Sequence, residues 1–445
     1  MSIRKHNLAL SLAVVFALIG GFGFQKTSLD PQVVRDLDFS VPHFQDANGP
    51  QVRYAPGQVI VKFKPSVSGL MKQSFFRAYR FRLVSRLAAL ESYLVEVSES
   101  STVEGMVLAL NQNPYVEYAE PNRLLRINVT PNDTQFKYQY ALYNSGQQIG
   151  SVPGSPQGKS SADIKAPPAW EETEGRSAIT IAVVDTGVDM LHPDLDSKIK
   201  SSGRDFVNND FDATDDHGHG TMIAGIAAAE TNNNEGIAGV TWNCKVLPVK
   251  VADESGLAYE DDVADGIRWA VDNGADVINL SLGSPEPTLL IRDAMKYAHD
   301  KNVVVVVAAG NTAGPVEYPA AYNAYCLAVS ATDYNDLRTL WSSYGPEIDV
   351  AAPGDRILST YPVNLSGPYI PYAYGSGTSF SAPHVAGLAA LIKSIKPGLK
   401  VEEIRKIIRY SADDVNASQF KGRDDYIGYG RINMEKALVP IKVTQ

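Results

Sequence analysis

The sequence predicts an α/β protein: a large body with a mainly parallel central sheet, preceded by a small α/β module. Three observations predict it. Runs of consecutive valine and isoleucine alternate with helix-compatible stretches from about residue 178 onward. Such runs belong to strands buried on both faces, which is the condition of a parallel sheet covered by helices. Two strand patterns, a helical pattern and a further strand are grouped within residues 52–127. Finally, several polar motifs stand directly after apolar strands, and ligands in open parallel sheets bind beyond the strand carboxyl ends.

Taken in order, Arg4, Lys5 and His6 precede an apolar stretch from Leu8 to Phe24. A positive region followed by an apolar one fits a secretory signal, with Gly21-Phe22-Gly23 as a poor cleavage match. The same length also fits an uncleaved membrane anchor, so residues 1–24 are a signal peptide or anchor. Residues 25–51 lack periodicity and read as a linker. Gly57 to Lys64 alternates into a strand ending at Pro65, and Ser92 to Val97 is a second strand. Val103 to Leu110 has helical spacing, closed by Asn113-Pro114. Tyr115 to Asn122 is a strand running into an exposed tail. Residues 52–127 thus form a module of about the minimum size that folds alone.

Residues 128–445 form the main body. A loop-rich stretch reaches about Gly175. Strands follow at Ala178–Val184, Cys244–Val251, Asp276–Leu282 and Asn302–Ala309, and helices at Thr221–Ala229, Glu260–Asn273 and Leu290–Asp300. A last helix-compatible run passes through Leu388, Ala389, Leu391 and Ile392. Pro383 is compatible with it only in the first helical turn, where a missing N–H costs little.

Composition narrows the function. At 44% hydrophobic and 20% charged residues, the 445-residue chain is an ordinary globular sequence. Its formal charge of −10 argues against general nucleic-acid binding. Residues 52–127 carry 10 basic and 6 acidic side chains, whereas 128–445 carries 26 and 40. A basic module beside an acidic body suggests mutual attraction. Cys244 and Cys326 lie in apolar contexts and read as buried free thiols.

Four residues carry chemistry. Asp185 follows the apolar strand Ile181-Ala182-Val183-Val184. Buried there, it needs a hydrogen-bond partner. Asp185-Thr186-Gly187 also spells an aspartic-protease motif, but that chemistry needs two such carboxylates and no second motif is present. His219, in Asp216-His217-Gly218-His219-Gly220-Thr221, starts a small-residue helix. His217 and His219 alone make a weak zinc signal. Asn311 ends the valine strand in Ala308-Ala309-Gly310-Asn311, where a turn former is the plain alternative. Ser379, in Gly377-Thr378-Ser379-Phe380-Ser381-Ala382-Pro383-His384, stands at a loop-to-helix junction, where a Thr/Ser helix cap is the plain alternative.

Together, Asp185, His219, Asn311 and Ser379 resemble the motifs of the subtilisin-like serine proteases (subtilases), in the wording of the thermitase-type branch. The match runs from about Thr130 to Ala437 and includes Gly428-Tyr429-Gly430-Arg431-Ile432-Asn433. The resemblance implies the subtilisin-like three-layer fold, with residues 52–127 as a ferredoxin-like propeptide domain. It also implies an Asp185–His219–Ser379 triad with Asn311 in the oxyanion hole. Ser281-Leu282-Gly283 would pair with the backbone of a polypeptide substrate, and Gly256 and Leu257, within Asp253–Leu257, would form the other wall. One position departs: the family usually has a second histidine three residues after the first, and here stands Met222. Altered packing is expected from it.

Calcium follows from the same resemblance. One site would use Asp133, Asp194 and the loop bearing Glu230, Asn233, Glu235 and Ile237. Asp205, Asn208, Asp210 and Asp212, whose alternate spacing points oxygens into one loop, could form a second; for both sites solvated, turn-forming acidic loops are the alternative. Val116 to Asn122 matches a propeptide ending, which implies a folding aid and intramolecular inhibitor released by cleavage between about Leu125 and Asp133. The expected function is an exported, self-maturing serine endopeptidase. A membrane-anchored processing protease and a non-catalytic binding protein on the same fold are the alternatives.

Overall fold

The computed structural model describes residues 25–26, 54–98, 101–123, 129–150, 154–367 and 371–443. The proposed signal or anchor and most of the linker lie outside them; the short strand Gln25–Lys26 (β1) is the described part of the latter. The chain divides into two units, Leu37–Ile127 and a second made of Met1–Asp36 with Asn128–Gln445. Among the described residues, no helix is long and apolar enough to cross a membrane.

The first unit runs β2 (Tyr54–Phe63), α1 (Gly69–Ala78), β3 (Arg82–Leu87), β4 (Ser92–Glu96), α2 (Val103–Asn111) and β5 (Val116–Arg123). Its antiparallel sheet has the order β3-β4-β2-β5, the ferredoxin-like arrangement. Alternation along β2 buries Val59, Val61 and Phe63 against Val95, Leu110 and Val116. The sequence reading missed α1 and β3. The helix has no fully buried residue, and every residue of β3 is exposed, so neither shows a clean periodicity. Phe75 and Phe76 of α1 instead meet Phe63 edge-on, at ring distances of 5.0 and 5.7 Å.

The second unit is built on seven parallel strands. These are β6 (Thr180–Asp185), β7 (Arg204–Asp205), β8 (Lys245–Lys250), β9 (Val277–Leu280), β10 (Val304–Ala308), β11 (Leu327–Thr332) and β12 (Val350–Pro353). Their order is β12-β11-β10-β9-β6-β8-β7. The valine run explains itself here, because its two faces feed different cores. Val304 and Val306 join Ile181 and Val183 under helices α4 (His219–Ala228) and α8 (Thr378–Ile395). Val305 and Val307 join Ala182 and Val184 under α5 (Glu260–Asp272) and α6 (Leu289–Asp300). The result is the expected three-layer fold. Short elements complete it: α3 (Ala166–Trp170), α7 (Val363–Ser366), α9 (Val401–Ser411), α10 (Met434–Val443) and the antiparallel pair β13 (Ile357–Thr360) and β14 (Tyr372–Gly375), with β1 beside β14.

The sheet order fixes where a site can form. Strands β10, β9 and β6 are neighbours, and their carboxyl ends lead into Asn311, Ser281 and Asp185. Helix α8 packs against all three of these strands from one layer.

Candidate active site

Asp185 is the last residue of β6 and is 3% exposed; His219, the first residue of α4, is 8% exposed. One carboxylate oxygen of Asp185 meets His219 Nδ1 at 2.6 Å and accepts Thr186 N–H at 2.8 Å. Burial pushes the imidazole pKa down, but the Asp185 carboxylate outweighs it and the net value is raised above 6.5. The Phe380 ring stands edge-on to the imidazole at 5.9 Å.

What holds His219 in place is Asp215, a residue the sequence reading did not single out. Fully buried, it accepts from Thr186 Oγ1, His217 N and Gly218 N on one oxygen, and from Thr221 N and Oγ1 on the other, over 2.6–3.0 Å. A carboxylate at a helix start satisfies donors that the first turn leaves over. Gly220 lets this turn close against β6, since a Cβ there would come 2.1 Å from the Gly187 carbonyl. Lys250, buried at the end of β8, donates to Thr186 O, Ala252 O and Asp216 at 2.6–2.9 Å. It too was missed.

Ser379 is the second residue of α8 and is 4% exposed. Its hydroxyl donates to the Ser281 carbonyl at 3.2 Å, while the Ser281 hydroxyl donates to the Ser379 carbonyl at 3.0 Å. Asn279 Nδ2 supports that hydroxyl at 2.9 Å. The reciprocal pair corrects the expectation for Pro383. This proline is the sixth helical residue, beyond the first turn. A proline there removes the donor owed to the carbonyl four residues back, which is that of Ser379. The Ser281 hydroxyl takes the donor's place.

The helix-cap alternative is corrected as well. Gly377 is the capping residue, with no side-chain cap. The Thr378 hydroxyl turns instead to the loop after β10, accepting Gly310 N–H at 3.1 Å. The oxygen of Asn311 accepts Thr378 N–H at 2.8 Å and lies 3.1 Å from its hydroxyl. That contact commits the amide oxygen and leaves the nitrogen end for another acceptor.

Around these residues, Asp253–Leu257 forms a turn closed on the Asp253 carboxylate, with Leu257 62% exposed. Gly256 lies against His217, to which a Cβ would come within 3.2 Å. Met222 is fully buried with Ile226, Ile357 and Phe380, a packing role as expected. Cys244 and Cys326 are free and buried.

Of the residues assigned to calcium, Asp133 and Asp194 are buried beside the 230–237 loop. Asp194 accepts Ile237 N–H and Asn233 Nδ2 at 2.8 and 2.9 Å; Asp133 accepts Asn232 N–H at 2.8 Å. The other oxygen of Asp133 is buried without a hydrogen-bond partner. Burial pushes the Asp194 carboxyl up to about 7 and that of Asp133 to about 6. The Glu230 carboxylate accepts from Ser197, Glu235 is exposed, and Asn233 Oδ1 accepts Glu235 N–H. In the other loop both oxygens of Asp205 accept from Asn208 at 2.9 Å, Asp210 accepts Asp212 N–H, and Asp212 accepts from Thr214. Among the described residues, no three Asp, Glu, His or Cys side chains converge as a metal cluster.

Comparison with known proteins gives the family. Residues 176–430 match the model of the subtilase family, and residues 42–122 match that of the fervidolysin N-terminal prodomain. A thermophilic serine proteinase of Bacillus sp. (strain AK1) is 41% identical over 98% of this chain and 99% of its own. Thermitase of Thermoactinomyces vulgaris is 43% identical over 69% of this chain and 99% of its own. A solved protease structure from Pseudoalteromonas arctica PAMC 21717 superposes with a TM-score of 0.61 at 33% identity, covering 70% of this chain and 100% of that one. The chain therefore belongs to the subtilase family, as a subtilisin-like serine protease with an N-terminal prodomain.

Proposed function

We propose that this protein is an exported serine endopeptidase, made as a zymogen, in which Asp185, His219 and Ser379 form the triad. The observation that carries this reading is the buried 2.6 Å Asp185–His219 contact, at strand ends next to the helix start that bears Ser379. Ser379 Oγ leaves the Ser281 carbonyl and bonds to the substrate carbonyl carbon, passing its proton to His219 Nε2. Asp185 holds the ring by Nδ1–H and stabilises the imidazolium. The oxyanion takes hydrogen bonds from the Asn311 amide nitrogen and from Ser379 N–H; in this family losing one such donor costs about 3–4 kcal/mol. His219 then protonates the leaving amine as the C–N bond breaks, and water hydrolyses the acyl-enzyme. Ser281-Leu282-Gly283 and the Asp253–Leu257 turn flank an extended polypeptide substrate.

The prodomain acts as folding aid and inhibitor until it is cut off between about Leu125 and Asp133; the opposite charge of the two parts supports this. Export rests on the positive-then-apolar order of residues 1–24. Calcium fits the first acidic loop, where a cation would satisfy the unpartnered Asp133 oxygen and the two buried carboxylates. Asp133, Asp194, Glu230, Asn233, Glu235 and Ile237 would hold it, and it would supply stability. The second loop is a weaker candidate.

Expression of wild type beside Ser379→Ala tests the reading. Wild type shortens from precursor to mature size and takes a fluorophosphonate label. The variant does neither, and its kcat falls by about a millionfold, the magnitude known for subtilisin. Folded wild type that neither labels nor shortens would favour the non-catalytic alternative. Retention of residues 1–24 on membrane-bound enzyme would favour the anchored one.

A further inference from the structure

Glu317 is a half-buried carboxylate that the reaction above does not use. Its N–H donates to the Ala309 carbonyl at 3.0 Å, which folds the chain back over the end of β10. The side chain then lies between two glycines of the site. A Cβ on Gly310 would come 2.6 Å from the carboxyl carbon of Glu317, and one on Gly283 would come 2.9 Å from its Oε2. Gly310 immediately precedes Asn311, and Gly283 closes Ser281-Leu282-Gly283. Glycine at both positions leaves the carboxylate its room. Burial raises its pKa, with the Thr312 hydroxyl opposing, and no lysine or arginine among the described residues contributes. An anion withdrawn from water with no cation beside it carries an uncompensated desolvation cost.

The position of that anion relative to the reacting atoms says what would complete it. The attacked carbonyl must lie against Ser379 Oγ with its oxygen toward Asn311. The residue bearing this carbonyl has its backbone beside Ser281–Gly283, and its side chain leaves one bond from the reacting carbon. A side chain directed between Gly283 and Gly310 would meet Glu317. We infer that Glu317 selects substrates with lysine or arginine at the residue whose carbonyl is attacked, by pairing with the cationic end of that side chain. This inference rests on the acyl-transfer reading given above.

The test is kcat/KM on peptide anilides that differ only at that residue: lysine, arginine, methionine, glutamine and glutamate. Wild type prefers lysine over methionine by about tenfold or more, the scale of a hydrogen bond to a charged group, and the preference shrinks in 1 M NaCl. In Glu317→Gln the lysine-to-methionine ratio falls toward one, and in Glu317→Lys glutamate becomes the better substrate. The ratio within one enzyme cancels differences in folding and in chemistry. If Glu317→Gln does not fold, the wild-type ratio and its salt dependence still decide. Wild type that labels with fluorophosphonate but is indifferent to charge overturns the inference and leaves the reaction standing, and so does Glu317→Gln that keeps the preference. A folded wild type that neither labels nor cleaves any anilide removes both.

Discussion

The two acidic loops look alike in sequence and differ in how their oxygens are used. Around Asp194 the carboxylates are buried: Asp194 is 0% and Asp133 5% exposed, and one oxygen of Asp133 has no hydrogen-bond partner. Around Asp205 the alternately spaced acids close turns on themselves. Asn208 donates to both oxygens of Asp205, and Asp210 and Asp212 are exposed acceptors for the next backbone N–H groups. Density of carboxylates is therefore a poor guide to a cation site. What matters is whether lone pairs are left over in a place where water cannot serve them.

The largest consequence concerns the first loop. In Ser379→Ala, chosen because the proposed reaction predicts that it does not digest itself, calcium bound at a thousand times its dissociation constant would add about 4 kcal/mol. At about 2–4 °C per kcal/mol for a domain of this size, melting is expected to rise by about 10 °C between excess EDTA and calcium. Adding Asp194→Ala is expected to abolish the rise. Equal melting curves of the parent protein in EDTA and calcium would remove the cation from the first loop.

A smaller effect reverses sign with the cation. Asp194 moves from 3.8 to about 7 on folding and Asp133 to about 6, both through burial. Without calcium the folded chain holds these protons longer than the unfolded chain. That stability is fully present below about pH 4 and is lost as pH rises through 6 to 7. If calcium is held there the metal would replace the protons, so stability is expected to rise over the same window. Denaturant melts at pH 5, 6, 7 and 8, with and without EDTA, read this directly. Parallel profiles would mean that these carboxylates are not the ligands.

The same distinction explains what could be read from the chain alone. Asp185, His219, Asn311 and Ser379 stood out in the chain because the apolar strands and glycines around them announce strand ends and tight turns, which is where the fold places them. The parallel sheet was legible because strands buried on both faces leave continuous valine runs. Asp215 was not, since it is one carboxylate in a run with Asp210, Asp212 and Asp216. Only the fold shows that five donors converge on it. Lys250 was hidden for the opposite reason: a lysine ending a strand reads as surface, whereas here two carbonyls and Asp216 surround it. Helix α1 and strand β3 left no period to find. Pro383 was placed one turn too early because the substitute donor, Ser281, lies 98 residues away in sequence.

The second loop is where the comparison is easiest to break. Asp210 and Asp212 are solvent-exposed, and each accepts from groups of its own loop. An acceptor of that kind returns to water when it is lost, so replacing either by alanine costs about 1 kcal/mol or less. The Ser379→Ala background with Asp212→Ala is expected to keep its whole calcium-dependent rise in melting temperature. For a cation to bind there, Asn208 would have to turn its amide nitrogen away from Asp205 and surrender a 2.9 Å hydrogen bond. If Asp212→Ala removes part of the rise while Asp194→Ala removes the rest, that reorganisation takes place and both loops hold calcium. In that case burial alone does not separate a cation site from a self-closed acidic turn.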